Sequence, residues 1–142
     1  MNRNIILIIA TLIVLAGAAI GMFMYNMEPE KAGKQSAAHS LTSSELVQAF
    51  VEDESAAQST YMNQVLEISG RVEEISETPA GMVAILSAGE GTINCAFEAD
   101  QTTFLKEAGI ESGSEIKVKG FCDGYGDLFV EVSLSRCIWI NP

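Results

Sequence analysis

Residues 65–75, with the sequence VLEISGRVEEI, restrict the possible folds of this chain more than any other segment. Apolar and polar residues alternate there, which predicts a half-buried strand whose inner face carries Leu66, Ile68, Gly70 and Val72. The glycine allows a sharp bend, and the apolar phase slips by one residue before Ile75, which indicates a β-bulge. A long strand bent in this way can pair with different neighbours in its two halves, as a small closed barrel requires.

Four further strands and a short helix come after this strand. Residues 82–87 and 92–97 predict the second and third strands, and residues 115–122 and a segment beginning at Asp127 predict the last two. Between them we expect a helix with Asp100 as N-cap, Phe104, Leu105 and Ala108 as its apolar stripe, and Gly109 as its stop. Three strands, a helix and two strands form the order of the OB-fold, a mainly β, five-stranded Greek-key barrel.

The N-terminal segment predicts a membrane helix. Residues 5–25 form a run of 21 residues without a charge, which as a helix spans about 30 Å, the thickness of a bilayer core. The alternative is a cleaved signal peptide, with residues 16–18 as its small-x-small site, but the apolar run continues beyond that site. No cysteine lies nearby, which excludes a lipoprotein-type attachment. We assign residues 1–27 to an uncleaved signal anchor.

The charges flanking this segment bear on its orientation. Arg3 favours a cytoplasmic N-terminus, whereas Lys31 and Lys34 on the other side oppose it. A short N-terminal tail before the anchor is typical of signal anchors that export the domain on their C-terminal side. The soluble domain is therefore expected outside the cytoplasm, in a periplasmic or extracellular location.

Residues 28–40 predict a flexible linker, because they are small or polar and lack apolar periodicity. His39, the only histidine of the chain, falls in this linker and is expected to be solvated. The remaining part, residues 41–142, is the predicted OB-fold domain with an N-terminal helix. That helix begins with a capping box at Thr42 and Glu45 and presents one apolar stripe, which consists of Leu46, Val47, Phe50 and Val51. We expect it to form a helical collar packed on the barrel.

The charge balance disfavours nucleic acid as a ligand. Beyond residue 27 the chain carries seven Lys and Arg against nineteen Asp and Glu, a net charge of −12. A field of that sign repels phosphate backbones and anionic lipid headgroups. OB-folds that bind single strands place stacking aromatic and cationic side chains on their second and third strands. Those strands contain no Lys or Arg here, and Phe97 is in phase with the core residue Ile93.

The predicted final hairpin offers a candidate binding patch. If its turn centres on Tyr125, Phe121 faces Phe129 and Lys119 faces Glu131. Such pairs can simply stabilise the hairpin under the collar, or they can form a docking patch with Tyr125 at its rim. The candidate patch consists of Lys119, Phe121, Tyr125 and Phe129.

Catalysis and metal binding lack a recognisable pattern of residues. No nucleophile can be matched with a base, and the cysteine spacing fits no zinc site. Asp123 and Asp127 lie in a glycine-rich segment that faintly resembles a calcium loop, but the register of an EF-hand is missing, so we expect an ordinary turn. We therefore expect no enzyme activity, no metal site and no cofactor.

Three cysteines in an exported domain predict one disulfide and one free thiol. In the predicted hairpin register Cys122 lies roughly 30 Å from Cys137, which is too far for a bond. Cys95 and Cys137 are the preferred pair, because the third and fifth strands of an OB barrel are neighbours.

The soluble part resembles the tRNA-anticodon-binding-like (tRNA-anti-like) OB-fold family of small bacterial envelope proteins. The resemblance covers residues 41–140 and rests on the segments SSELVQAFVEDESAAQSTY, VLEISGRV, INCAF and EIKVKGFC, and on the L-x-x-C of Leu134 and Cys137. It implies kinship of fold with anticodon-binding domains and supplies no binding residues, and kinship of fold does not transfer function.

The sequence thus predicts a membrane-anchored, non-catalytic OB-fold module that binds or scaffolds at the bacterial envelope. A protein or a small polar ligand is the expected partner. The alternative is a nucleic-acid-binding OB-fold protein, which the resemblance favours and the charge opposes.

Overall fold

The computed structural model describes residues 2–25 and 36–140, which fall into two compact units. The first unit holds a single helix, α1 (Arg3–Tyr25), whose side chains are all exposed. By length and composition α1 is able to cross a membrane, although a signal sequence meets the same criteria. Residues 28–35 of the predicted linker lie outside the described residues.

The second unit contains six strands and three α-helices among its described residues. In chain order they are β1 (His39–Thr42), α2 (Ser43–Glu52), α3 (Glu54–Tyr61), β2 (Val65–Thr78), β3 (Gly81–Ala88), β4 (Gly91–Phe97), α4 (Thr102–Glu107), β5 (Glu115–Gly126) and β6 (Glu131–Ile140). Two 3-10 turns, Ala99–Gln101 and Asp127–Phe129, precede α4 and β6.

Strand β2 closes the barrel by pairing with different strands in its two halves. Residues 65–71 pair antiparallel with β5, and residues 71–78 pair antiparallel with β3. The register shifts between Val72 and Glu74, so the predicted β-bulge is confirmed. Strands β3 and β4 are antiparallel, β4 and β6 are parallel, and β6 returns to β5. The five strands β2–β6 form the predicted OB-fold barrel.

Strand β1 corrects the prediction that the linker extends to Ser40. His39–Thr42 pairs in parallel with residues 66–69 of β2, on the edge of β2 that β3 does not reach. The physical reason is that this stretch of β2 would otherwise leave backbone groups unpaired next to the core. The ring of His39 packs edge-on against Tyr61 at 5.1 Å between centroids, so His39 is not simply solvated.

Helix α2 forms the predicted collar on the barrel. The capping box is confirmed: the Glu45 carboxylate accepts from the Thr42 backbone N–H at 2.7 Å, and Thr42 Oγ1 accepts from the Glu45 backbone N–H at 3.2 Å. These hydrogen bonds to Thr42 hold the pKa of Glu45 below its ordinary value. Three of the four predicted stripe residues, Leu46, Val47 and Phe50, are buried. Val51 is exposed instead, because it lies beyond the edge of the face that contacts the barrel.

Gly70 allows α2 to approach β2 closely. A Cβ atom on Gly70 would lie 2.8 Å from Ser43 Oγ and 3.0 Å from Ser43 Cβ. Ser43 is buried, and its hydroxyl donates a 2.6 Å hydrogen bond to the backbone carbonyl of Ser87 in β3. The Ser43 side chain therefore has little freedom to move away from a larger residue at position 70.

Helix α4 differs from its predicted form. Asp100 lies within the 3-10 turn that precedes α4 and is not an N-cap, and no side chain caps that turn. Of the predicted stripe only Leu105 is buried, whereas Phe104 and Ala108 are exposed, because the six-residue helix has room for a single inward turn. Gly109 has φ +67° and ends the helix as predicted.

We predict that Gly70→Ala destabilises the domain, because the added methyl group forces Ser43 away from its carbonyl partner. The free energy of unfolding should fall by about 1–3 kcal/mol in urea titrations. Ser43→Ala removes the nearest clashing atom, so the double variant Ser43→Ala/Gly70→Ala should lose less stability than the sum of the two single variants. Strict additivity would contradict a direct contact between position 70 and the hydroxyl.

Candidate ligand-binding surface

The β5–β6 hairpin turns at residues 127–130 and not at Tyr125. Tyr125 lies opposite Val132, and Gly126 lies opposite Glu131. The predicted pairs Phe121–Phe129 and Lys119–Glu131 are therefore wrong, since Phe121 lies opposite Ser135 and Lys119 opposite Ile138. Glycines 124 and 126 remain in β5, where register shifts on both sides of residues 121 and 122 absorb the mismatch between the strands.

Tyr125 is held in β5 by aromatic packing against the collar. Its ring stacks on Phe50 of α2 at 4.9 Å between centroids and an interplanar angle of 17°. Phe50 in turn lies 6.2 Å from Tyr61. Tyr125 is half-buried and packs against the core, so it contributes to the contact between hairpin and collar.

Phe121 and Lys119 do not join Tyr125 in one patch. Phe121 is 9% exposed and forms a small cluster with Val65. The Arg136 guanidinium covers its ring at 4.0 Å from the centroid. Lys119 is half-buried within the sheet, opposite Glu67 in β2. Of the four predicted patch residues, Phe129 alone is strongly exposed.

Phe129 and Leu128 form an exposed apolar tip, here called the hairpin tip. The relative exposure of Leu128 is 91% and that of Phe129 is 84%. The sequence analysis placed Leu128 and Val130 on the inner face of a strand, which is wrong for Leu128 because the strand begins only at Glu131. A signal for this turn is faint, since residues 127–130 lack glycine, proline and asparagine.

The hairpin tip is fixed to the barrel at its base. Val130 adopts a left-handed conformation with φ +48°, and its carbonyl accepts a 3.0 Å hydrogen bond from the Thr92 backbone N–H. Gly91 makes this contact possible, because a Cβ atom there would collide with the Val130 carbonyl. The tip therefore projects from a held backbone at the start of β4.

The outer face of β3 and β4 adjoins this tip and carries no charged side chain. Val83 and Ile85 on β3 alternate with buried neighbours, and Ile85 lies opposite Asn94, which lies opposite Ser133 of β6. Phe97 is buried at 4% exposure, so the prediction that it belongs to the core is confirmed. This face of an OB-fold is the usual ligand surface, and here it is neutral, with small and medium side chains.

The basic residues of the barrel unit are engaged with partners. Three form ion pairs: Lys106 with Glu77 at 2.7 Å, Lys117 with Glu67 at 3.3 Å and Arg71 with Glu115 at 3.6 Å. Lys119 and Arg136 also have interaction partners. These five residues are the Lys and Arg within residues 36–140, and they are spread over four elements of the unit. A cluster of cations for phosphate groups is therefore not formed by this part of the chain.

Two open clefts of about 410 Å³ each lie on the barrel unit. The first separates α2 from the β3–β4 turn and has an apolar floor with Glu52 and Glu90 at its rim. The second contains Trp139, Ile110 and Lys117. Within residues 2–25 and 36–140 no group of three or more His, Cys, Asp and Glu could hold a metal ion.

The three cysteines are buried thiols in the structure. Cys95 and Cys137 lie together in the core, where the Cys137 thiol hydrogen-bonds with Cys95. That hydrogen bond, followed by burial, holds the pKa of Cys137 well above its ordinary value. Burial, followed by the nearby Asp123 charge, raises the pKa of Cys122 to about 11. Sulfur atoms with such raised pKa values are poor nucleophiles at neutral pH.

Fold and surface together define a small OB-fold protein with an apolar N-terminal helix. The sequence profile of the tRNA_anti-like family matches residues 1–137, and the chain belongs to that family. No curated protein sequence matches the chain.

Solved structures show the same fold at low sequence identity. A Klebsiella pneumoniae protein described as a "putative nucleic acid-binding lipoprotein" is 15% identical, with a TM-score of 0.58 over 80% of this chain and 100% of that one. A protein described as a "putative aspartyl-tRNA synthetase" from Leishmania major is 13% identical, with a TM-score of 0.49 over 75% of this chain and 21% of its own. An asparaginyl-tRNA synthetase from Entamoeba histolytica has a TM-score of 0.43 at 13% identity, over 56% of this chain and 22% of its own.

Two aromatic residues of the hairpin should respond differently to truncation. We predict that Tyr125→Ala lowers the free energy of unfolding by about 2–3 kcal/mol, because it removes the stack on Phe50 and partly buried area. Phe129→Ala should change it by less than about 0.5 kcal/mol, because the ring is exposed. Urea titrations of both variants measure this contrast, and an equal loss of stability in the two would contradict the hairpin register.

Proposed function

We propose that the chain is a membrane-anchored, non-catalytic binding module at the bacterial envelope, and that its ligand is a protein docked on the hairpin tip. The observation that carries this proposal is the exposure of Leu128 and Phe129 on a backbone fixed to β4. Large apolar side chains on a held turn bind with little loss of conformational entropy, and buried aromatic residues dominate the energetics of protein interfaces.

The acidic residues around the tip define the chemistry of the partner. Asp123 and Asp127 are exposed, and Glu131 comes directly after the turn at the start of β6. A partner surface that offers an apolar pocket rimmed by Lys or Arg complements this arrangement. The neutral outer face of β3 and β4 next to the tip supplies further area for a protein surface.

The apolar helix α1 supports attachment to a membrane. Its length and composition are those of a spanning helix. We place the barrel unit outside the cytoplasm, because the short tail before α1 is typical of signal anchors, and the lipoprotein description of the Klebsiella neighbour agrees with an envelope location. Non-catalytic binding is proposed because the described residues offer no nucleophile with an adjacent base.

Nucleic acid is the second candidate ligand. The description of the Klebsiella neighbour and the family of the chain favour it, and Phe129 on the loop between the last two barrel strands offers one ring on which a base could stack. The net charge and the paired state of the basic residues oppose it, since the affinity of single-strand binders depends on contacts with phosphate groups.

Site-specific photo-crosslinking in cells tests the protein-docking proposal. A photoreactive amino acid replaces Phe129 in one full-length variant and Phe104 in a second. Phe104 is a matched control, because it is an exposed phenylalanine on α4, outside the hairpin. We expect a discrete protein adduct from position 129 that is absent from position 104, and we expect Asp127→Lys to reduce its yield several-fold.

Three results would contradict this proposal. Equal adducts from the two positions would show that exposure alone determines crosslinking. An adduct at position 129 that is degraded by nuclease, and not by protease treatment of the partner, would favour the nucleic-acid candidate. A variant with both Leu128→Ser and Phe129→Ser that retains the same partner at full yield, captured through a probe elsewhere, would exclude the tip as the docking site.

A further inference from the structure

The strongest unassigned feature is the contact between two thiols inside the barrel. Cys95 on β4 and Cys137 on β6 are both fully buried, and their side chains interact through a hydrogen bond. The two strands are parallel neighbours, with Cys95 opposite Leu134 and Phe97 opposite Cys137. The two sulfur atoms therefore occupy one site in the core, between adjacent strands.

A bulge in β6 is the reason that Cys137 points inward. Val132 and Leu134 face the core, so a regular strand would also turn residue 136 inward and residue 137 outward. The register shifts by one residue between these positions, and Arg136 adopts a left-handed conformation with φ +50°. Arg136 is thereby free to cover Phe121 outside the barrel, and Cys137 enters the core beside Cys95.

A third strand leaves space for the sulfur of Cys137. A Cβ atom on Gly120 of β5 would lie 2.6 Å from Cys137 Sγ. The absence of a side chain at position 120 therefore lets this sulfur sit against the β5 backbone. Cys122 is not part of the site, because its neighbours are Asp123 and Gly124, and the groups that influence Cys137 are Cys95, Asp123 and Ala96.

We propose that Cys95 and Cys137 form a disulfide in the native protein, which links β4 to β6 and leaves Cys122 as a free thiol. The oxidant is a protein or small-molecule disulfide of the compartment outside the cytoplasm, and it acts before the barrel closes, since both thiols are inaccessible afterwards. The two thiols lose two protons and two electrons as the S–S bond forms, and the oxidant is reduced to two thiols. This inference does not depend on which ligand the module binds.

The oxidation state in cells tests the proposal directly. Cells that produce the full-length chain are quenched in acid, which stops thiol exchange, and the denatured protein is labelled with a maleimide that adds a fixed mass per free thiol. We expect one label without prior reduction and three after reduction. Cys122→Ser is the matched control and should give no label without reduction and two after it. Three labels on the unreduced wild-type chain would overturn the proposal.

A stability measurement on the same full-length protein gives a second, independent readout. The proposed bond closes a loop of about 40 residues, so the urea midpoint of the barrel unit should fall by about 1–2 M when the purified protein is reduced. Cys122→Ser should show the same decrease on reduction. A midpoint that reduction leaves unchanged would show that no bond constrains the barrel, and it would also overturn the proposal.

Discussion

The change of partner along β2 is the constraint on which the rest of the structure depends. Its first half pairs with β5 and its second half with β3, and the bulge after Val72 lets one strand serve both sides of the closed barrel. Gly70 lies just before that bulge and leaves room for Ser43, so the same stretch of β2 also receives the collar. The edge that this arrangement leaves open is covered by β1. Closure, collar and edge protection therefore have a common origin in one bent strand.

Alternation of apolar residues predicts the barrel from sequence because each strand has one buried face. The strand order, the capping box at Thr42 and the bulge after Val72 are all confirmed, since each depends on local residues. The hairpin register could not be predicted, because it depends on the stack of Tyr125 on Phe50, a contact between segments far apart in sequence. The same error placed Leu128 in the core. Strand β1 was missed for a similar reason, because four residues without apolar periodicity become a strand only through the free edge of β2.

Kinship of fold and distribution of charge indicate different ligands for this domain. The chain belongs to the tRNA_anti-like family, and its barrel is an OB-fold. The surface that OB-folds use for nucleic acids, however, is neutral here, and nearby cations are paired with carboxylates. The hairpin tip is the feature of this surface that departs most from a solvated exterior. A fold fixes where a ligand surface lies, whereas the side chains on that surface decide what it binds.

The most direct test of this account is a binding titration of the full-length chain, in a neutral detergent, with fluorescent single-stranded DNA and RNA at about 50 and 200 mM salt. The account predicts no saturable binding at either salt concentration, because the domain carries a net charge of −12 and its basic residues are engaged. Tight binding at the lower concentration that weakens steeply at the higher one would contradict it. That result would mean that the ion pairs open to contact phosphate groups, and that the domain binds nucleic acid in spite of its charge.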